Sequence, residues 1–282
     1  MVMATLCGLW LGVASAADLL WRVEGGAGTA YLAGSVHLLP PEAYPLPASF
    51  EQAYRRADRL VFETDMGALN NPATQMQLLS AATLPAGQTL SERLPADLRT
   101  RLESRLKDGS MPLALVDGFR PWFAAVMLEM TLFMNSGYRP DLGLDQHFYD
   151  RARADGKSIE SLEPIAGHLE ILTGMTEAEQ QNFLAATLAE LERLEDAPAQ
   201  LFELWRQGDV AGLEALMLDS RQRYPGFHER LIASRNRQWV KRIRSMLAEG
   251  DIVMVVVGAI HLIGEDGLPA RLRAAGFRAV QQ

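Results

Sequence analysis

An uninterrupted run of β-branched and apolar residues at positions 252–257 limits the possible folds of this chain more than any other feature. Such a run lacks the alternation of a strand with one solvated face, so it predicts a strand buried on both faces of a largely parallel sheet. Shorter β-like runs occur at residues 20–23, 29–33 and 59–62, and a last one at 277–280. The two ends of the chain are therefore expected to supply one sheet.

The middle of the chain carries helical patterns. Pro121 opens an apolar stretch at residues 122–134, which predicts a helix packed deep in the protein. Thr176 and Glu179 have the spacing of a capping box at the start of another helix, and residues 228–247 predict one long helix. The expected fold class is α/β, with a mixed or largely parallel sheet formed from the N- and C-terminal segments and a large helical middle region.

The N-terminus has the pattern of an export signal. An uncharged apolar stretch at residues 4–13 is too short to span a bilayer, and Ala14-Ser15-Ala16 follows it with the small-x-small pattern of a cleavage site. A buried N-terminal strand or helix is the alternative. We predict a signal peptide at residues 1–16 and one mature domain at residues 17–282. The protein is then exported, and periplasmic in a bacterium, with no stable membrane span after cleavage.

The cysteine content argues against thiol-based sites, and the net charge argues against one class of partner. The only cysteine, Cys7, lies in the predicted signal peptide, so the mature chain has no thiol for disulfides, nucleophilic catalysis or zinc binding. Any metal ion would have to be bound by histidines and carboxylates. The net charge of −8 argues against nucleic acid as a partner.

Two of the strand-like runs end in the same pattern, a glycine followed three residues later by a histidine. These are Gly34 with His37 and Gly258 with His261. Ligands of open α/β sheets bind beyond the carboxyl ends of the strands, and glycine permits close approach of the backbone there. Paired imidazoles with a carboxylate suit a hydrolytic metal site. Two copies in a chain of five histidines favour a functional role over a structural one.

Several charged residues are candidates for the same site. Glu63 follows the run at residues 59–62, where it could bind a metal ion or act as a general base. Asp145 could be a ligand or cap a helix, and Glu163 could orient a ligating histidine. Arg235 could bind a substrate carboxylate, stabilise a developing anion, or form an ion pair with Glu163 or Asp145. The remaining histidines are expected to be structural or solvent-facing: His147, His168 and His228.

Taken in order, these features resemble the TraB/GumN family, which includes the TIKI-type metalloproteases. The other matching elements are Pro121-Trp122, Gly137-Tyr138, Gly143-Leu144-Asp145, Gly156-Lys157, Leu162-Glu163 and Arg235-Asn236. They extend over essentially the whole mature chain. Pro164 and His168 depart from the family pattern, which tends to show a threonine and a glutamine in this segment.

The resemblance implies a TIKI or erythromycin-esterase-like fold, a divalent metal ion (Mn, Co or Zn) and hydrolysis of peptide bonds. We therefore predict an exported metal-dependent hydrolase acting on a peptide or another envelope substrate. The predicted metal ligands are His37, His261, Glu63 and Asp145. The predicted catalytic residues are Glu63, Arg235 and Asn236, with Glu163 orienting a ligand.

Two alternatives remain open from the sequence. One is a metal-independent, esterase-like hydrolase in which His37, His261 and Glu63 act as acid and base, and its activity would survive chelation. The other is a non-catalytic binding protein for a polysaccharide or another envelope component. Intact histidines and an intact glutamate favour catalysis, because binding alone does not need them.

Overall fold

The computed structural model describes residues 17–109, 111–193 and 196–282, and the predicted signal peptide lies outside them. Six strands in this part of the chain form one sheet. They are β1 (Leu20–Gly25), β2 (Gly28–Ser35), β3 (Arg59–Phe62), β4 (Ser158–Ser161), β5 (Ile252–Gly258) and β6 (Arg278–Gln281). Their order across the sheet is β4-β3-β5-β2-β1-β6.

The sheet is mixed, as predicted. The pairings β2–β5, β5–β3 and β3–β4 are parallel, whereas β1 pairs antiparallel with β2 and β6. Strand β5 lies at the centre, and residues 253–258 are buried, which confirms the expectation from its β-branched run. Strand β4 was not predicted from the sequence, because its sequence, Ser-Ile-Glu-Ser, is short and polar. Such a sequence suits an edge strand, which pairs on one side only.

Helices cover the sheet and fill the middle of the chain. Those in the described residues are α1 (Ala48–Arg56), α2 (Met66–Leu69), α3 (Pro72–Ala82), α4 (Leu90–Arg93), α5 (Ala96–Asp108), α6 (Pro121–Asn135), α7 (Leu144–Asp155), α8 (Ile165–Thr173), α9 (Glu177–Arg193), α10 (Ala197–Arg206), α11 (Val210–Arg223), α12 (Pro225–His228), α13 (Ser234–Glu249) and α14 (Leu268–Ala274). None of the helices described here combines the length and apolarity that crossing a membrane requires.

The helix predictions were confirmed in part. The capping box exists, since the Thr176 backbone N–H donates to Glu179 and the Glu179 N–H donates to the Thr176 hydroxyl. Helix α6 begins at Pro121 as expected, but only its first half is packed deep, and Met134 near its end is 54% exposed. Residues 228–247 are helical throughout, as predicted, but a π-helical turn at Glu229–Ala233 separates α12 from α13.

Two hydrophobic cores stabilise the molecule. The larger surrounds the sheet and includes β5, Trp205 on α10 and Trp239 on α13. The smaller lies among α5, α6 and α9 and includes Trp122. The sheet core fixes the strand ends that carry the candidate site, and the helical core lies apart from them.

A partly buried acid in the helical layer makes stability depend on pH. Burial and the nearby Glu190 carboxylate raise the pKa of Glu129 on α6 to about 7, from an ordinary value of 4.5. The folded state then binds a proton that the unfolded state has lost, so the contribution of Glu129 to stability is fully present below pH 4.5 and is lost as the pH rises through 7. We expect a loss of about 1–3 kcal/mol between pH 5 and pH 8.

Urea unfolding of Glu129→Gln at both pH values tests this expectation. The variant should gain stability over wild type at pH 8, and much less at pH 5, because glutamine cannot ionise. Glu103→Gln, at an exposed position on the neighbouring α5, is the matched control and should follow the wild-type pH dependence. Equal pH dependence in wild type and Glu129→Gln would assign the effect to another group.

Candidate functional site

Three of the predicted site residues follow neighbouring parallel strands. His37 follows β2, Glu63 follows β3, and His261 lies on a short 3-10 helix directly after β5. The strand registers pair Ser35 with Gly258 and Phe62 with Val256, so the three carboxyl ends meet at one edge of the sheet. The structure thus brings these residues to one edge, where open α/β sheets bind ligands.

Both glycines of the repeated pattern lie where other atoms approach the backbone closely. A Cβ on Gly34 would lie 2.5 Å from the Leu19 side chain. A Cβ on Gly258 would lie 3.3 Å from Glu63 Oε1, which accepts the Gly258 N–H at 2.7 Å. Glycine at the end of β5 therefore lets the Glu63 carboxylate bond directly to the backbone.

A pocket of about 290 Å³, here called the edge pocket, opens at this end of the sheet. Its polar lining residues are Ser35, His37, Glu63, Thr64, Asp145, Gln146 and His168. Phe62, Met66, Leu69 and Pro140 supply apolar walls. His261 and Arg235 are buried, with 2% and 8% of their surfaces exposed, and they do not line this pocket.

His37 is held by a carboxylate. Its Nδ1 lies 2.8 Å from Asp145 Oδ2, and the Ser35 hydroxyl donates to the other oxygen, Oδ1, at 3.0 Å. Asp145 is in the first turn of α7, where its own N–H donates to the Ser35 hydroxyl at 3.2 Å. This arrangement leaves Nε2 of His37 for a ligand or water. Asp145 therefore orients His37, and both of its oxygens are already engaged.

The Asp145 charge raises the pKa of His37 to about 9, from an ordinary value of 6.5. We expect Asp145→Asn to bring the pKa of His37 back towards 6.5, because the amide cannot stabilise the imidazolium by charge. An NMR titration of the imidazole C–H signals measures this directly. Asp141→Asn, at an exposed acid paired with Arg139, is the control and should leave the His37 titration in place. A pKa that stays near 9 in Asp145→Asn would show that another group holds the proton.

Arg235 is the centre of a buried polar cluster. Its Nη2 donates to Glu63 Oε2 at 2.6 Å and to Glu163 Oε1 at 2.7 Å, and its Nε donates to Glu163 Oε2 at 3.1 Å. Its guanidinium carbon lies 4.5 Å from the centroid of the Trp239 ring. We call Arg235, Glu63, Glu163, His168 and His261 the Arg235 cluster.

The π-helical turn at Glu229–Ala233 helps to position the Arg235 side chain. In this turn the Ser234 N–H bonds to the Glu229 carbonyl, five residues back, instead of four. The Leu231 carbonyl accepts the Arg235 side chain at 3.1 Å. The widened turn thus supplies a backbone acceptor for the guanidinium just before α13 begins.

His261 is held in one tautomer. The Asn236 amide nitrogen donates to the His261 and Asp266 carbonyls, so its oxygen faces His261 Nδ1, at 2.8 Å. Nδ1 must therefore carry the proton, and Nε2 accepts from Arg235 Nη1 at 3.1 Å. Burial, with the charge of Arg235, lowers the pKa of His261 to about 3, so the imidazole is neutral. Asn236 is fully buried and positions His261 instead of reaching the edge pocket.

Glu63 and Glu163 are neighbours because the parallel pairing of β3 and β4 continues past the strand ends. The Glu163 N–H donates to the Glu63 carbonyl at 2.9 Å. Burial raises the pKa of Glu63, but the charges of Arg235 and His37 and the hydrogen bond from the Gly258 N–H outweigh it and hold that pKa well below its usual range. Hydrogen bonds from His168 and Arg235 likewise outweigh burial and lower the pKa of Glu163. Both groups are therefore carboxylates at neutral pH.

His168 belongs to the Arg235 cluster, although it was expected from the sequence to be structural or solvent-facing. Its Nδ1 lies 2.8 Å from Glu163 Oε1, and the residue lines the edge pocket. The only sequence feature that could have pointed to His168 was its departure from the family pattern at this position. One donor atom each of Glu63, Glu163 and His168 lie within 4.8 Å of one another, close enough to form a possible metal-binding cluster.

The atoms that could bind a metal ion already contact other protein groups. Arg235 Nη2 bonds to Glu63 and Glu163 and lies 3.3 Å from His168 Nδ1, so the guanidinium already lies among these three donors. His261 Nε2 also faces Arg235, and Asp145 faces His37 and Ser35. The predicted set of metal ligands was His37, His261, Glu63 and Asp145. In this structure their ligand atoms face other protein groups and do not converge on one ion.

Comparison with known proteins gives a family and uncharacterized relatives. The sequence profile described as the TraB/PrgY/gumN family matches residues 19–281. The chain is similar to the uncharacterized protein YbaP of Escherichia coli (strain K12), at 25% identity over 243 residues that cover 86% of this chain and 87% of YbaP. The uncharacterized protein YbaP of Shigella flexneri matches with the same identity and coverage. No solved structure gives a significant match.

Proposed function

The chain belongs to the TraB/PrgY/gumN family, and from this premise we propose that it is a hydrolase that activates water in the edge pocket. One observation carries the proposal. His37, held by Asp145 at 2.8 Å, lines the same pocket as the ionised Glu63. An oriented imidazole beside a fixed carboxylate is an arrangement suited to general acid–base catalysis.

The proposed chemistry uses His37 as the proton carrier. Neutral His37 accepts a proton from water at Nε2 while the water oxygen attacks the substrate carbonyl carbon. The imidazolium then returns that proton to the leaving amine or alkoxide as the bond to carbon breaks. Asp145 stabilises the imidazolium and fixes the ring, and Glu63 orients the water. Because the pKa of His37 is raised, the active neutral form grows as the pH rises towards 9.

A metal-dependent form of the proposal needs more rearrangement. His37, His261, Glu63 and Asp145 would have to bind one divalent ion (Mn, Co or Zn), which would break the hydrogen bonds of His261 to Arg235 and of Asp145 to His37. The observed contacts therefore support the metal-independent form better. Peptides are the favoured substrates and esters the next, and export to the periplasm remains part of the proposal.

A substrate screen tests hydrolysis. Wild type, His37→Ala and Glu63→Gln are incubated with a mixed synthetic peptide library and a panel of aryl esters, with and without a chelator, and products are identified by mass spectrometry. We expect wild type to give products in at least one panel with the chelator present, and both variants to give none. Identical product patterns from all three proteins, or no products from wild type, would count against hydrolysis in this pocket.

A further inference from the structure

We propose that the Arg235 guanidinium occupies the cation position of the Glu63–Glu163–His168 cluster, so that this site carries a built-in side-chain cation in place of a bound divalent metal ion. This cation position shares Glu63 and His168 with the lining of the edge pocket, and it rests on the proposed hydrolase only for its functional meaning. The occupancy of the cation position can be measured without any turnover.

The Arg235 guanidinium lies among Glu63, Glu163 and His168. Three donor atoms with metal-ligand spacing converge, and Arg235 Nη2 lies within 2.6–3.3 Å of a donor atom on each of those three residues. Two carboxylates and a guanidinium at these distances form a charge-assisted network of short hydrogen bonds. The guanidinium thus supplies the positive charge that a bound metal ion would otherwise provide beside these carboxylates.

Arg235 also has partners other than Glu63, Glu163 and His168. Leu231 in the π-helical turn accepts Nη1 through its carbonyl, His261 accepts the same nitrogen through Nε2, and Trp239 stacks against the guanidinium. These partners hold the arginine independently of Glu63 and Glu163. Arg235 is therefore fixed in its place by the helix that carries it, and is not a long side chain that reaches in from the surface.

The carboxylate oxygens of Glu63 and Glu163 are also engaged in hydrogen bonds. Glu63 Oε1 accepts the Gly258 N–H, and Glu63 Oε2 accepts Arg235. Glu163 Oε1 accepts Arg235 and pairs with His168, and its Oε2 accepts Arg235 Nε and the Trp239 indole N–H. All four oxygens already have partners. A divalent ion would have to displace a buried guanidinium and several of these bonds at once.

Metal analysis and thermal unfolding test the inference. Wild type, purified without added metals or chelators, should contain far less than one equivalent of Mn, Co or Zn, and its thermal midpoint should stay constant when MnCl₂, CoCl₂, ZnCl₂ or a chelator is added. Arg235→Ala should open the cation position. Co²⁺ or Zn²⁺ should then raise the midpoint of this variant by several degrees, because an ion that binds the folded state stabilises it.

Two further variants make the result specific. Arg237→Ala removes an exposed arginine two positions along the same helix and should behave as wild type with metal. Arg235→Ala combined with Glu163→Gln should lose the metal response, because one ligand is missing. If Arg235→Ala does not fold, the metal content of wild type decides the question alone. One tightly bound equivalent in wild type that is lost in Glu163→Gln, or no metal response in folded Arg235→Ala, would overturn the inference.

Discussion

Arg235→Ala is expected to destabilise the protein by about 3–5 kcal/mol, the largest stability effect we expect from a single substitution in this site. The guanidinium is 8% exposed and pairs with two carboxylates, Glu63 and Glu163, that lie side by side after β3 and β4. Its removal leaves two buried negative charges without their cation. The cost is that of uncompensated buried charge, which greatly exceeds the worth of an exposed ion pair.

Urea unfolding at neutral pH measures the effect, and Arg237→Ala is the matched control. Arg237 pairs with Glu229 at the surface, so its removal should cost less than about 1 kcal/mol. Adding Glu163→Gln to Arg235→Ala should restore part of the loss, because the second substitution removes one of the stranded charges. Equal stability of the two arginine variants would mean that the carboxylates are not held by Arg235.

His37→Ala is expected to lower kcat/KM by about 10²–10⁴-fold, the contribution typical of a general base, and to cost no more than about 1 kcal/mol of stability, the contribution of an exposed ion pair. The reason for the separation is exposure. The His37 side chain is 65% exposed, and its partner Asp145 keeps the hydrogen bond from the Ser35 hydroxyl after the substitution. The variant should therefore fold as wild type does and fail only in catalysis.

The substrate found in the screen is used for this measurement, with urea unfolding of the same samples. His228→Ala is the control, since His228 pairs with Asp266 and does not line the edge pocket. It should keep wild-type kcat/KM within a small factor. Wild-type turnover by His37→Ala would remove His37 from the mechanism, and a loss of stability that matches the loss of activity would assign it a structural role.

The sequence by itself determined the parts of this protein that depend on local pattern. The β-branched run predicted the central strand β5, and the alternation of strands and helical periods predicted a mixed sheet with a helical middle. The strand predictions also gave the location of the candidate site, because a residue after a parallel strand lies at the carboxyl edge of the sheet. His37, Glu63 and His261 were therefore placed at one edge before any contact was known.

Only the tertiary structure decided which atoms at this edge meet. The side chains of Arg235 and Glu63 bond across 172 positions of sequence, and Glu163 lies beside Glu63 because the weak edge strand β4 pairs with β3. The π-helical turn that aims Arg235 inward has no sequence pattern that distinguishes it from a helix. Hydrogen-bond direction depends on such long-range packing, whereas hydrophobic periodicity is a local property. For that reason the sequence predicted where the candidate site lies, and the fold determined that an arginine occupies its cation position.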